Sequence, residues 1–492
     1  MTTDITYRSA TELLADIAAG RQSSRALLDS YVARLDSLNP VLNSVVTLDL
    51  AQARLKADLA DTAVRNGLPL GPLHGLPITI KDTFEVLGMP CTAGAAALRE
   101  HRPAQSAVAV KRLEDAGAIV FGKTNVPTMA GDIQTYNSLF GTTHNPWNLA
   151  LTPGGSSGGA AVALAAGFTS LELGSDIGGS IRIPSHFTGV YGHKPTHGIV
   201  SQRGHIPGAP GNLAEGALNV VGPLARSAAD LQLMLDVIAA APPAGQPGWQ
   251  LQLPAPRSVS LKTFRVLLWT DDVDCPLDQG MTEAYHQLHL SLEAAGVEVV
   301  QGAPRGASLE RLFAAYLLQL GAELGVSLPA SKRCFMGLMA PVLRALGRVM
   351  DTPQHADKFY QGSAMGHADW LKAHEAGLRL REAFLKTFDD VDVILAPPTF
   401  TTAFAHDQSR VISLRTLQVD GQKRHYADLY KWIAPATLMG LPATSAPIGL
   451  TRQGLPVGVQ IIGAPFADRT TIKFAEYLAE VVGGFQVPGA MG

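Results

Sequence analysis

Two short stretches set serine beside paired glycines. Residues 152–160 read "TPGGSSGGA" and carry Ser156 and Ser157; residues 174–185 read "GSDIGGSIRIPS" and carry Ser180. A glycine-rich turn running into an alanine-rich segment either cradles a phosphate or holds a nucleophile at a sharp corner. The phosphate reading fails twice: 154–161 has no lysine where GxxxxGK[ST] needs one, and the glycines at 154, 155, 158 and 159 do not spell GxGxxG. The nucleophile pattern GxSxG does fit, with Ser156 at its centre and His193 and His197 downstream as partners. That short pattern arises readily by chance in a chain with 49 glycines. Ser180 follows Ile177, Gly178 and Gly179, and the missing side chains of the two glycines let successive N–H groups converge on a tetrahedral oxyanion. Losing one such donor costs about 3 kcal/mol of barrier. A plain turn is the competing account of an isolated Gly-Gly-Ser. Lys81 ends the apolar run of "GPLHGLPITIKDTF" (71–84) and either reaches solvent or, if buried, loses its proton easily enough to act as a base. Serine with lysine is a known nucleophile–base pair.

The rest of the composition narrows the classes. Charged residues are 16% of the 492, against about 25% in ordinary domains, and the net charge is -3 with no block of one sign. Nucleic acid and acidic membrane surfaces are poor partners for such a chain. Cys91, Cys275 and Cys334 are far apart, and the fourteen histidines form no HExxH, so neither a disulfide framework nor a metal site is expected. Cys91 reads as a small packed residue. The N-terminus shows no secretory pattern, and the apolar run 312–330 is interrupted by Gln319 and Glu323, so no stable membrane insertion is expected and the reading is cytoplasmic.

The elements that must position these groups follow from periodicity. Residues 23–37 space Leu27, Leu28, Tyr31, Val32 and Leu35 as a helix, which packs on the main body or on a second subunit, leaving a homodimer open. Beyond residue 70, short apolar runs at 76–80, 118–122, 266–269, 391–398 and 457–463 read as strands, with helical segments such as 106–117 between them. That alternation predicts an α/β fold with a mostly parallel or mixed sheet. Residues 241–256, rich in proline and glycine, read as a surface connection, and 260–390 is helical in pattern. The apolar and basic segment 309–350 reads as core or lid, with a dimer face or a membrane-resting surface patch as the other options.

Lys81, Ser156 and Ser180, set in "GLPITIKD", "PGGSSGGAA" and "DIGGSIRIPS", together resemble the amidase signature family. The resemblance is strong over 70–210, includes "GVYGHKPT" (189–196), and returns in "GLPVGVQIIGAPFAD" near the C-terminus. It implies a mixed β-sheet sandwiched between helices with a variable helical insertion. The implied division is an N-terminal helical arm (1–69), a core bearing the triad (70–240), a variable substrate-side region (241–390) and a C-terminal part completing the sheet (391–492). It implies Ser180 as nucleophile, Ser156 as a bridging serine on a cis peptide, and Lys81 as terminal base. Ile177, Gly178, Gly179 and Ser180 supply the oxyanion hole, Ser157 supports the triad by hydrogen bonding, and Asp176 and Arg182 fix the loop. The activity implied is amide hydrolysis without cofactor on a small-molecule amide, with an apolar acyl or aryl group favoured by the character of 309–350. The glutaminase-type subunit of an amidotransferase, with a partner chain, and an esterase using Ser156 are the alternatives.

Overall fold

The computed structural model describes residues 4–241, 248–306, 308–409 and 411–489. Part of the connection expected at 241–256 therefore lies outside the described residues. An eleven-stranded mixed sheet organises the chain. In spatial order its strands are Val45–Leu48, Ile119–Thr124, Pro77–Lys81, Leu171–Asp176, Val220–Ala225, Tyr191–Lys194, Ala443–Leu450, Pro456–Ile462, Val393–Ala396, Arg265–Leu268 and Glu298–Gln301.

All five apolar runs read as strands form strands of this sheet. Several other strands lack apolar alternation and leave no such mark. Leu171–Asp176 and Tyr191–Lys194 are wholly buried yet carry Glu172, Asp176, His193 and Lys194. Strands covered on both faces have no polar side to alternate with, and here the buried polar groups find partners inside the fold: Glu172 meets Thr79, His193 meets Asp468, Asp176 meets the nearby Arg182 and Lys194 donates to the Pro195 carbonyl. The stretch 260–390 is mostly helical, although Arg265–Leu268 and Glu298–Gln301 extend the sheet at one edge.

The N-terminal helix Ser24–Leu42 buries Leu27, Leu28, Tyr31 and Leu35 against the body of the same chain, with Tyr31 stacked 6.3 Å from Phe121. Asp230 accepts from the first N–H groups of helix Ala10–Ala18, a side-chain cap that ties the arm down. Helix Leu309–Gly325 buries Leu312, Phe313, Tyr316 and Leu320. The next helix, Ala330–Leu346, leaves Phe335 and Leu338 exposed. No described helix is long and apolar enough to cross a membrane.

Candidate active site

In open sheets, ligand sites form beyond the carboxyl ends of parallel strands. Strand Pro77–Lys81 runs parallel to both Ile119–Thr124 and Leu171–Asp176, so Lys81 and the Asp176–Ser180 turn emerge at the same end. Lys81 is 0% exposed. Its Nζ lies 2.8 Å from Ser156 Oγ and 2.9 Å from Ser175 Oγ. Among the described residues no carboxylate pairs with it. Burial lowers its pKa to about 7, with Asp176 and Glu172 pulling the other way.

Ser156 follows a cis peptide from Gly155 and leads through Ser157 into the buried helix Gly158–Ala165. Close packing sets the composition of that helix. A Cβ on Gly159 would sit 2.5 Å from the Asn125 backbone nitrogen, so only glycine lets the helix lie there. Ser157 N–H donates to the Ser180 carbonyl at 3.2 Å, joining the two glycine–serine loops.

Ser180 is 7% exposed and lines a cavity of about 620 Å³ together with Ser156 and Ser175. Its loop is held by Asp176, whose carboxylate accepts from the backbone of Gly179, Ile181 and Arg182 and from the Arg182 guanidinium. Burial works to raise the Asp176 pKa, but the charge and hydrogen bond of Arg182, the Lys194 charge and the Ile181 N–H together outweigh it and leave it at about 2. Arg182 also donates to Gln460 and to the Ile433 carbonyl, anchoring the loop to the C-terminal half of the sheet. Gly179 takes φ +84°, and a Cβ there would meet Ile183 Cδ1 at 2.7 Å.

The arrangement differs from the expected one in two places. Gly179 N–H is engaged by Asp176 Oδ1 at 2.9 Å, so the N–H groups facing no such acceptor are those of Ile177, Gly178 and Ser180. The Ser157 hydroxyl, expected to support the triad, has no hydrogen-bond partner among the described residues. The hydroxyl at Lys81 is instead that of Ser175, which carries no motif of its own in the sequence. Ser175 sits one residue before Asp176 at the end of its strand, a position that the strand register alone could have flagged. His205 is a second residue that no motif marks. It is buried, its Nε2 lies 2.8 Å from Ser175 Oγ, and no local spacing reveals it because a loop brings it in.

Among the described residues Ser156 and Ser180 share the cavity without a hydrogen bond between their hydroxyls. The histidines available to a GxSxG triad are committed elsewhere. His193 pairs with Asp468 at 3.1 Å, and His197 Nε2 with the Gly216 carbonyl at 2.8 Å. Cys91 is buried, and burial raises its thiol to about 12, too high for a nucleophile. No group of three or more potential metal ligands occurs among the described residues.

Fold and site together define an enzyme of hydrolytic type, a buried lysine and serine hydroxyls lining a cavity at the end of parallel strands. The chain belongs to the amidase family, whose model, described as Amidase, matches residues 26–472, and it is a hydrolase of amide C–N bonds. It is 36% identical over 469 residues to a Glutamyl-tRNA(Gln) amidotransferase subunit of Synechococcus sp. (strain CC9605), covering 91% of each chain. Among solved structures it is similar to a protein of the vestigial complex that reveals the evolutionary origins of an s-triazine catabolic enzyme. That likeness has a TM-score of 0.78 at 29% identity, over 98% of this chain and 100% of the other. A bacterial aryl acylamidase of the amidase signature family shares the fold, with a TM-score of 0.79 at 24% identity over 97% of each chain.

Proposed function

We propose that the protein hydrolyses a small carboxylic acid amide to acid and ammonia or amine through an acyl-enzyme on Ser180. The observation that carries this reading is Lys81, wholly buried, paired only with hydroxyls and held 2.8 Å from Ser156 beside the cavity that Ser180 lines. Neutral Lys81 takes the Ser156 hydroxyl proton as Ser156 takes that of Ser180, and Ser180 Oγ bonds to the carbonyl carbon. The serine-to-serine contact closes in the substrate complex, since such hydrogen bonds tighten only when substrate is bound. The oxyanion is received by N–H groups of Ile177, Gly178 and Ser180. As the C–N bond breaks, the proton returns from Lys81 through Ser156 to the leaving nitrogen, without which an amine leaves poorly. Water then adds to the acyl carbon by the same relay, releasing the acid and restoring Ser180.

The cavity walls support an uncharged acyl or aryl group. They include Met129, Ile133, Ile177, Tyr316, Leu320 and Tyr430; the lining carboxylates Asp132, Glu215 and Glu323 are engaged by Arg415, the Ser201 hydroxyl and the Leu218 N–H, and among the described lining residues there is no lysine or arginine. A substrate carboxylate would lose its hydration there with no cation to receive it. The 36% identity to an amidotransferase subunit favours a second reading, glutaminase activity coupled to a partner chain. Amine and ammonia release from a short aliphatic amide, an anilide, a long-chain acylamide and glutamine, with wild type and Ser180→Ala, tests both. The expected result is cleavage of an uncharged amide and a loss of roughly a thousandfold in Ser180→Ala. A serine-reactive phosphonate found on Ser156 instead of Ser180 would overturn the assignment. Preference for glutamine with co-purification of a second protein chain would establish the alternative.

A further inference from the structure

Lys81 must offer its lone pair to Ser156, and the hydroxyl of Ser175, equally close, competes for it. Ser175 carries one hydrogen and stands between two nitrogens, Lys81 Nζ at 2.9 Å and His205 Nε2 at 2.8 Å. If that hydrogen turns to Lys81, the lone pair is occupied and the base is blocked. If it turns to His205, the Ser175 oxygen is free to accept from Lys81 N–H, and the lone pair stays with Ser156. We propose that His205 is a positioning residue for Lys81: its Nε2 accepts the Ser175 hydroxyl hydrogen and so keeps the lysine lone pair directed at Ser156.

Several contacts hold His205 in place for this. Its N–H donates to the Gln202 carbonyl, and its ring meets the edge of Phe84 with centroids 4.8 Å apart. On either side, Glu85 N–H donates to the Gly204 carbonyl at 2.9 Å and Ile206 N–H to the Thr83 carbonyl at 2.7 Å. The segment just after Lys81 is thus stitched to the segment that carries His205, fixing the ring relative to the lysine. Burial, with Lys81 adding to it, lowers the His205 pKa to about 3, so the ring is neutral and Nε2 can accept in the working range. The arrangement also suits the charged state. Once Lys81 is an ammonium it donates to both serines, and only His205 can still take the Ser175 hydrogen. The ionisable groups bearing on Lys81 are Glu172 and Asp176, and the neighbouring Asp82 carboxylate is paired with Lys123.

The proposal rests on Lys81 being the base, and the experiment separates the two ideas. On an amide the wild type cleaves, His205→Leu should lower kcat on the order of tenfold, the scale of one hydrogen bond, with KM little changed. The acid limb of the kcat profile should move to lower pH, because a Ser175 hydroxyl turned to the lysine stabilises its neutral form. His205→Gln, whose amide oxygen can accept the same hydrogen, should restore most of kcat. In a Ser175→Ala background, adding His205→Leu should change kcat less than about twofold, since the two act through one contact. Thermal melts of each variant identify any loss caused by unfolding. Wild-type kcat and pH profile in His205→Leu, additive losses in the double variant, or failure of His205→Gln to restore activity while folded would overturn the proposal. Retained activity in Lys81→Met would remove the proposed base itself.

Discussion

Lys81 and Lys123 lie on adjacent parallel strands, one register step apart, and both are fully buried. Their chemistry is opposite. Lys123 Nζ meets Asp82 Oδ1 at 3.0 Å and donates to the carbonyls of Phe84 and Pro90. Burial works to lower its pKa, but Asp82 outweighs that and holds it above the ordinary lysine value. Lys81 has only serine hydroxyls within reach, and burial leaves it at about 7. Removal from water is common to both, so the partner decides whether a buried lysine is held as a cation or gives up its proton near neutral pH.

The largest expected effect that tests this contrast is on activity. Lys81→Met should lower kcat by roughly a thousandfold or more while its thermal midpoint stays at or above that of wild type. Lys123→Met should instead leave Asp82 buried without a cation and lower folding stability by about 3–5 kcal/mol, read from the urea midpoint. A fully stable but inactive Lys123→Met would break the comparison.

The pH dependence sharpens it further. The kcat profile of the wild type should rise through an acid limb near pH 7, because below that point Lys81 is protonated and cannot accept from Ser156. Stability should carry the same signature. Between pH 7 and the ordinary lysine value of 10.5 the unfolded chain binds the proton that the folded chain has released, so the Lys81 contribution to stability improves as pH rises. Wild-type stability measured relative to Lys81→Met should therefore climb over that window, and a flat difference would show that Lys81 stays charged when folded.

The smallest effect is expected at Ser157. Its hydroxyl has no partner among the described residues, so Ser157→Ala should keep kcat within about twofold and change stability by less than about 0.5 kcal/mol. A large activity loss would return Ser157 to the supporting role proposed above for Ser175.

Strands with apolar runs closed by glycine or proline were legible in the sequence, because a buried strand leaves that mark wherever its residues are all apolar. Leu171–Asp176 was not, since Glu172 and Asp176 break its apolar run, and Glu172 is matched only when Thr79 arrives from a strand far away in the chain. The same reasoning separates the site residues. Ser156, Ser180 and Lys81 stood out by glycine context and strand position, whereas Ser175 and His205 acquire meaning only through a 2.8 Å contact across 30 residues.

The sequence by itself determined the turn chemistry: glycines where φ is positive or a neighbouring backbone comes too close for a side chain, serines at the two corners, and a lysine closing an apolar strand. Only the tertiary structure decided protonation and direction. Whether Lys81 is neutral, whether Gly179 N–H faces Asp176 or the cavity, and which hydroxyl meets the lysine all depend on desolvation and on partners far along the chain. Those energies arise only where the folded sheet brings the groups together and excludes water.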